Sequence, residues 1–246
     1  MKNIYAFENK EDYQKYEPII QRMSLNLKEY QHHLEERYNL NILPRRIVWT
    51  SHELAVNTFS SIPIPAFTNK DLIYISPELH HWRKLFQQQL DGRDLPSIQN
   101  FYESFGENHL LVILAHELTH HSDLFLDEFD NERRDSIWFE EGMCFYLPRR
   151  ILLSEKEFNE ITLVETTLVE TFKDHYGNHS LDEFGKCAYE GTLTSIMFDY
   201  WRSYLAVKNL VDKQKDKNPL ALFSDYRNWH EDGRKIPLTE YFHVNK

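Results

Sequence analysis

The chain has 246 residues, of which 41% are apolar and 27% charged, with a formal net charge of −11. That length and balance fit one or two lobes around a sizeable core and exclude a disordered chain. Seven glycines and nine prolines exclude collagen-like and linker-like chains, and the acidic balance excludes broad binding to nucleic-acid backbones.

Residues 9 to 38 are expected to form a helix, with Tyr13, Tyr16, Ile19, Ile20, Met23, Leu27, Tyr30 and Leu34 at helical spacing. Arg46 to Thr50 reads as a short strand. Ser51 can cap a short helix through Thr58, and Ser60 to Pro65 alternates Ile with Pro and reads as extended chain. Asp71 to Ser76 is a second strand, after which Ser76 and Pro77 open a helix expected to run to about Leu90. Asp91-Gly92-Arg93-Asp94 is a turn. Beyond Asn108 the chain is mostly helical, in segments near 109–123, 137–147, 155–176, 181–212 and 218–230. Ser154, followed by Glu155 and Glu157, starts one of these, and Gly177 and Asn178 stop it.

The expected class is therefore α+β and mostly helical: a small mixed sheet with a helix in the first half, facing a helical lobe. The expected division is a helical segment 1–44, a sheet subdomain 45–125 and a helical subdomain 126–246. Two cysteines, Cys144 and Cys187, are too few for a disulfide framework. The N-terminus turns charged before any apolar run builds, and the longest apolar block, Leu110 to Ala115, is too short to span a bilayer. A cytoplasmic location, with neither a membrane nor a nucleic-acid partner, is the expectation.

The most informative segment is Leu110-Leu111-Val112-Ile113-Leu114-Ala115-His116-Glu117-Leu118-Thr119-His120. On a helix, His116 and His120 lie one turn apart, about 40° around the axis from each other, so both imidazoles can reach one metal ion. Glu117 is offset by about 100°, where it can reach a water at the metal rather than the metal itself. A catalytic zinc needs a third protein ligand and one open position. Downstream carboxylates and imidazoles that can supply it are His121, Asp123, Asp127, Glu128, Glu140 and Glu141. The run Ser136 to Tyr146 is the better source, because acids set among aromatic residues on a buried helix need a partner. Asp123 and Asp127 are also candidates to accept a hydrogen bond from a ligand imidazole.

These motifs resemble the gluzincin metallopeptidases, a family that includes thermolysin-like, M1-type and peptidase-MA-like proteins. Its members carry His-Glu-x-x-His on one helix and a Trp-x-x-Glu-Gly-x-Ala-x-Tyr-like run on the next. Trp138, Glu141, Gly142 and Tyr146 match that run, with Cys144 in place of the small Ala. The resemblance implies a zinc ion held by His116, His120 and Glu141, with Glu140 as the alternative third ligand and Glu117 as general base. It further implies Tyr189, in Ala188-Tyr189-Glu190-Gly191, as an oxyanion donor, although the family's Lys before the Gly is missing. It implies an edge strand that pairs with extended peptide, here Ala66, Phe67 and Tyr74. The expected activity is peptide-bond hydrolysis on a peptide or protein substrate. The alternative is a catalytically inactive gluzincin-like binding or regulatory protein, and a variant of the first is a chain kept latent by residues 9 to 38. The resemblance covers about 66 to 146 and 186 to 205.

Overall fold

The structure, a computed structural model, describes residues 1–60, 62–129, 135–184 and 191–244. The chain divides into two compact units, Met1–Asp123 and Leu124–Lys246. The fold is mostly helical with one small mixed sheet, which lies wholly in the first unit. Among the described residues, no helix is long and apolar enough to cross a membrane.

In the first unit, strands β1 (Lys2–Ala6), β2 (Arg46–Thr50), β3 (Ala66–Thr68) and β4 (Leu72–Ile75) form a sheet in the order β1-β2-β4-β3. β1, β2 and β4 run parallel to one another, and β3 is antiparallel to β4. A parallel β1–β2 pair needs a crossover, and helix α1 (Lys10–Arg37) supplies it. Asn9 caps α1 by accepting from the Asp12 amide at 2.9 Å, and Glu11 and Asp12 suit the positive end of its dipole. Tyr16, Ile19, Ile20, Met23, Leu27, Tyr30 and Leu34 bury one stripe of the helix, while Pro18 sits on an exposed position.

Ile47 pairs in register with Ile73, and Trp49 with Ile75, so alternation places all four on one face of the sheet. All four are buried there. Asn3, on the same face, accepts from the Trp49 indole and donates to Ser24 of α1, each at 3.1 Å. Helix α5 (Glu107–Thr119) packs on α1 and on β3 and β4.

Four local expectations are revised. Strand β1 has no counterpart in the sequence reading, because its mostly exposed residues carry no alternation. After Ser51, helical turn α2 (His52–Leu54) loosens into a π-helical turn, Ala55–Phe59. Helix α3 (Leu79–Gln88) starts two residues later than Pro77, since the Ser76 hydroxyl turns back to accept from the Glu78 amide. Helix α4 (Pro96–Glu103), with Pro96 at its first position, fills a stretch left unassigned, and its Tyr102 stacks on Phe86 of α3 at 5.2 Å.

The second unit contains α6 (Ile137–Leu152), α7 (Glu155–Tyr176), α8 (Leu193–Lys213), α9 (Pro219–Glu231) and the short α10 (Leu238–Tyr241). Ser154 and Glu157 form the capping box that starts α7, and Gly177 ends it. The helix expected over 181–212 is corrected. A 3₁₀ turn covers Leu181–Glu183, and α8 begins at Leu193 because the Thr192 hydroxyl caps the Ser195 amide.

Helices α6 and α7 both pack on α8. At Gly142 the approach to α8 is so close that a Cβ there would lie 2.5 Å from both the Ser203 carbonyl oxygen and Val207 Cγ2. Farther along α6, the buried Arg149 guanidinium makes two hydrogen bonds to Glu165 of α7, at 2.7 and 2.8 Å. It also lies over the rings of Phe145 and Tyr204. Near the start of α6, Phe139 stacks on Tyr226 of α9 at 4.8 Å, and the Trp138 indole donates to Asp182 at 3.2 Å.

Candidate metal centre

Helix α5 forms because Leu110, Leu111, Val112, Leu114, Ala115 and Leu118 give it an almost fully apolar surface, buried nearly all round. Its first turn is tied down by Glu107, which takes two hydrogen bonds from Arg22 of α1 at 2.6 and 2.8 Å. The Arg22 partner holds the Glu107 carboxyl below its ordinary range. The Gly106 amide, one of the donors the helix cannot satisfy internally, is taken by His109 Nδ1 at 3.2 Å.

The far end of α5 presents His116, Glu117 and His120, all buried in spite of their polarity. Their placement follows from the helix: His120 is the C-cap yet keeps right-handed helical dihedrals, so the one-turn spacing is preserved. The two Nε2 atoms are 3.2 Å apart, with ring centroids at 4.9 Å and planes inclined by 74°. Two ligands about 2.0–2.1 Å from a tetrahedral zinc stand about 3.3–3.4 Å from each other. The imidazole pair therefore fits a shared ion with only small adjustment.

Hydroxyl and carbonyl groups hold this turn on several sides. The Thr119 hydroxyl donates to the Ala115 carbonyl and meets the Tyr30 hydroxyl of α1, both at 2.7 Å. Because the single Thr119 hydroxyl proton is committed to Ala115, Tyr30 is the donor in that pair. His121 Nε2 lies 2.8 Å from the Thr68 hydroxyl of β3. Just beyond the helix, Ser122 donates to the Tyr38 carbonyl, the Asp123 amide donates to the Asn39 carbonyl at 3.0 Å, and Asn41 donates to the Asp123 carboxylate at 2.7 Å. Asp123 is thus engaged by the segment after α1. Asp127 is engaged by Ser136 and Arg234. These contacts, and not a ligand imidazole, are the ones seen for the two acids.

Of the residues expected at a substrate strand, Ala66 and Phe67 lie in β3 and Tyr74 in β4, with Ala66 opposite Ile75 and Phe67 opposite Tyr74. The rings of Phe67 and Tyr74 stack at 4.5 Å, and Phe59 tilts against Tyr74 at 5.3 Å. β3 is an edge of the sheet, the position from which an extended peptide can add a strand.

In the second unit, Glu140 and Glu141 both lie on α6, and both are buried, as are Trp138, Gly142, Cys144 and Tyr146. His116, His120 and Glu141 each offer one buried ligand atom of a kind that divalent metals accept. Tyr189 lies outside the described residues.

The sequence reading gave Tyr30, Thr68 and Thr119 no part in holding the imidazole turn, which their hydroxyls contact. Thr119 carried a visible signal, a hydroxyl inside His-Glu-x-x-His; the other two carried none beyond their elements. Other histidines behave as packing or pairing groups. His52 stacks on His81 at 4.4 Å, and His81 meets His80 at 3.9 Å. His179 Nε2 is 2.8 and 2.9 Å from the two oxygens of the buried Asp199 carboxylate, which Arg202 also approaches at 3.1 Å. Comparison with protein-family models, with curated proteins and with solved structures finds no match to this chain.

Proposed function

We propose that the chain is a zinc-dependent peptidase of gluzincin type, with His116, His120 and Glu141 as metal ligands. The observation that carries this reading is the imidazole pair. Two histidines buried one turn apart, with Nε2 atoms 3.2 Å apart, bring two nitrogens towards one point at the end of the apolar run Leu110 to Ala115. The His/His/Glu donor set is one that catalytic zinc uses, and all three side chains are buried. The Trp138, Glu141, Gly142 and Tyr146 pattern on α6 is the second support.

Zinc, when bound, supplies a Lewis acid and a water acidified to a pKa of about 7. Glu117 sits one residue on from His116, so its carboxylate projects beside the imidazole pair and not along it. From there it accepts the proton of an attacking water and returns it to the leaving amine. The edge strand β3, with Ala66 and Phe67, aligns extended substrate by backbone pairing, and Tyr74 supports it from β4. Tyr189 serves as donor to the developing oxyanion.

The test is a pair of measurements on the full chain purified without added metal. Elemental analysis should give close to one zinc per chain, and His116→Ala should lose it. Glu117→Gln should keep the metal while lowering turnover of an unstructured fluorogenic protein substrate at least 10²-fold. A His116→Ala variant with full zinc content would overturn the metal centre. Equal turnover by Glu117→Gln would overturn the peptidase role and favour a binding protein.

A further inference from the structure

We infer that Tyr30 of α1 is a positioning residue of the metal centre: through Thr119 it fixes the rotation of α5 about its own axis, with Thr68 acting through His121 on the opposite flank. The inference rests on the metal reading above.

The geometry follows from helical spacing. With His116 taken as zero, His120 lies at about 40°, Glu117 at about 100°, His121 at about 140° and Thr119 at about 300° around the axis. The two anchors are therefore about 160° apart on the side away from the imidazoles, which lie within the wider arc of about 200° between them. Each anchor acts within the ligand turn itself: Tyr30 to Thr119 at 2.7 Å and Thr68 to His121 at 2.8 Å. Tyr30 and Thr119 are both buried, so no water competes for that bond.

Hydrophobic burial is non-directional, so bonds of fixed geometry within the ligand turn add a definition of rotation that burial alone does not carry. A rotation of about 10° carries a side-chain tip about 6 Å from the axis through about 1 Å. Coordination tolerates about 0.2 Å. Two hydroxyl contacts, on separate flanks of the turn, resist a rotation of that size.

The same segment holds the helix lengthwise. Arg22 binds Glu107 at its start, and the Tyr38 and Asn39 carbonyls bind Ser122 and Asp123 past its end. Residues 1–44, which have no counterpart in the family resemblance, are in this reading a part of the metal centre. α1 meets α5 at the flank that carries Thr119.

The experiment compares zinc affinity of the full chain, measured by competition with a chromophoric chelator, with stability of the metal-free form in urea. Tyr30→Phe and Thr119→Val should each weaken zinc at least 10-fold, the scale on which groups that orient ligands act. Thr119→Ser, which keeps the hydroxyl, should stay within two-fold of wild type. Phe86→Leu, remote on α3 and destabilising without touching α5's anchors, should leave zinc affinity unchanged. Wild-type affinity in Tyr30→Phe overturns the inference and leaves the metal reading standing. An equal loss in Phe86→Leu also overturns it, since the effect would then be one of general stability. A wild type that binds no zinc overturns the reading and the inference together.

Discussion

Helices α5 and α6, proposed to carry the ligands, are held in place by different physics. α5 is wrapped in apolar residues and owes its orientation to directional bonds from Tyr30, Thr68 and the Tyr38–Asn41 segment. α6 owes its orientation to contact: Gly142 lets the α8 backbone in, and Arg149 locks onto Glu165 of α7. Hydroxyl anchors tune direction and cost little when lost. Obstructing a backbone crossing, or removing one half of a buried ion pair, acts directly on stability. Substitutions in the second unit should therefore act first on stability, and those around α5 first on the metal.

The largest expected effect is at Arg149 and Glu165. Both are buried, and burial pushes the Glu165 carboxyl above its ordinary range, with the Arg149 charge and hydrogen bonds opposing that shift. Removing one partner strands the other, so Glu165→Leu or Arg149→Met alone should cost about 3–5 kcal/mol in urea unfolding. The double variant should recover most of that loss, because two apolar residues need no mutual neutralisation. Single variants that unfold like wild type would show that water reaches this pair.

Gly142→Ala comes next. Its Cβ would strike backbone atoms, the Ser203 carbonyl oxygen at 2.5 Å and its carbon at 2.9 Å, which cannot swing aside as a side chain can. The expected loss is about 1–3 kcal/mol, with α6 forced away from α8. Ser203→Gly should not rescue it, since the obstruction is the main chain; rescue would show that the helices separate freely and that contact does not hold α6.

How much of this was legible in the sequence divides along the same line. The apolar stripe of α1, the His116–His120 spacing and the Ser154 capping box are local patterns, and each appears in the structure where its residues imply. β1 was not legible: Lys2–Ala6 has two large apolar residues, Ile4 and Tyr5, on the exposed side of the balance, and only pairing with β2 makes it a strand. The start of α8 was missed because Thr192 caps it within a run whose apolar spacing continues from Leu181. Hydroxyl anchors such as Tyr30 and Thr68 are 89 and 53 residues from their partners, a separation at which no spacing rule operates. Gly142 entered the sequence reading only through the family resemblance, and the close approach of α8 there depends on a helix about 60 residues further along the chain.

The smallest expected effect is a pH dependence confined to the first unit. Burial lowers the proton affinity of His52, His80 and His81 below the ordinary value, and the three rings lower one another further through their 4.4 and 3.9 Å contacts. Lys15, Arg83 and Lys84 act in the same direction, while Glu78 and Glu53 oppose it. A histidine in the unfolded chain titrates near 6.5, so below that pH the unfolded form binds more protons than the folded one. Stability from these rings is complete above about pH 6.5 and declines as pH falls towards their lowered values. The urea midpoint should therefore drop between pH 7.5 and pH 5. His52→Phe keeps a ring in the stack and removes one titrating group, so its midpoint should fall less over the same range. An unchanged slope would assign the acid sensitivity to groups elsewhere in the unit, such as His33 on α1, whose proton affinity burial also lowers.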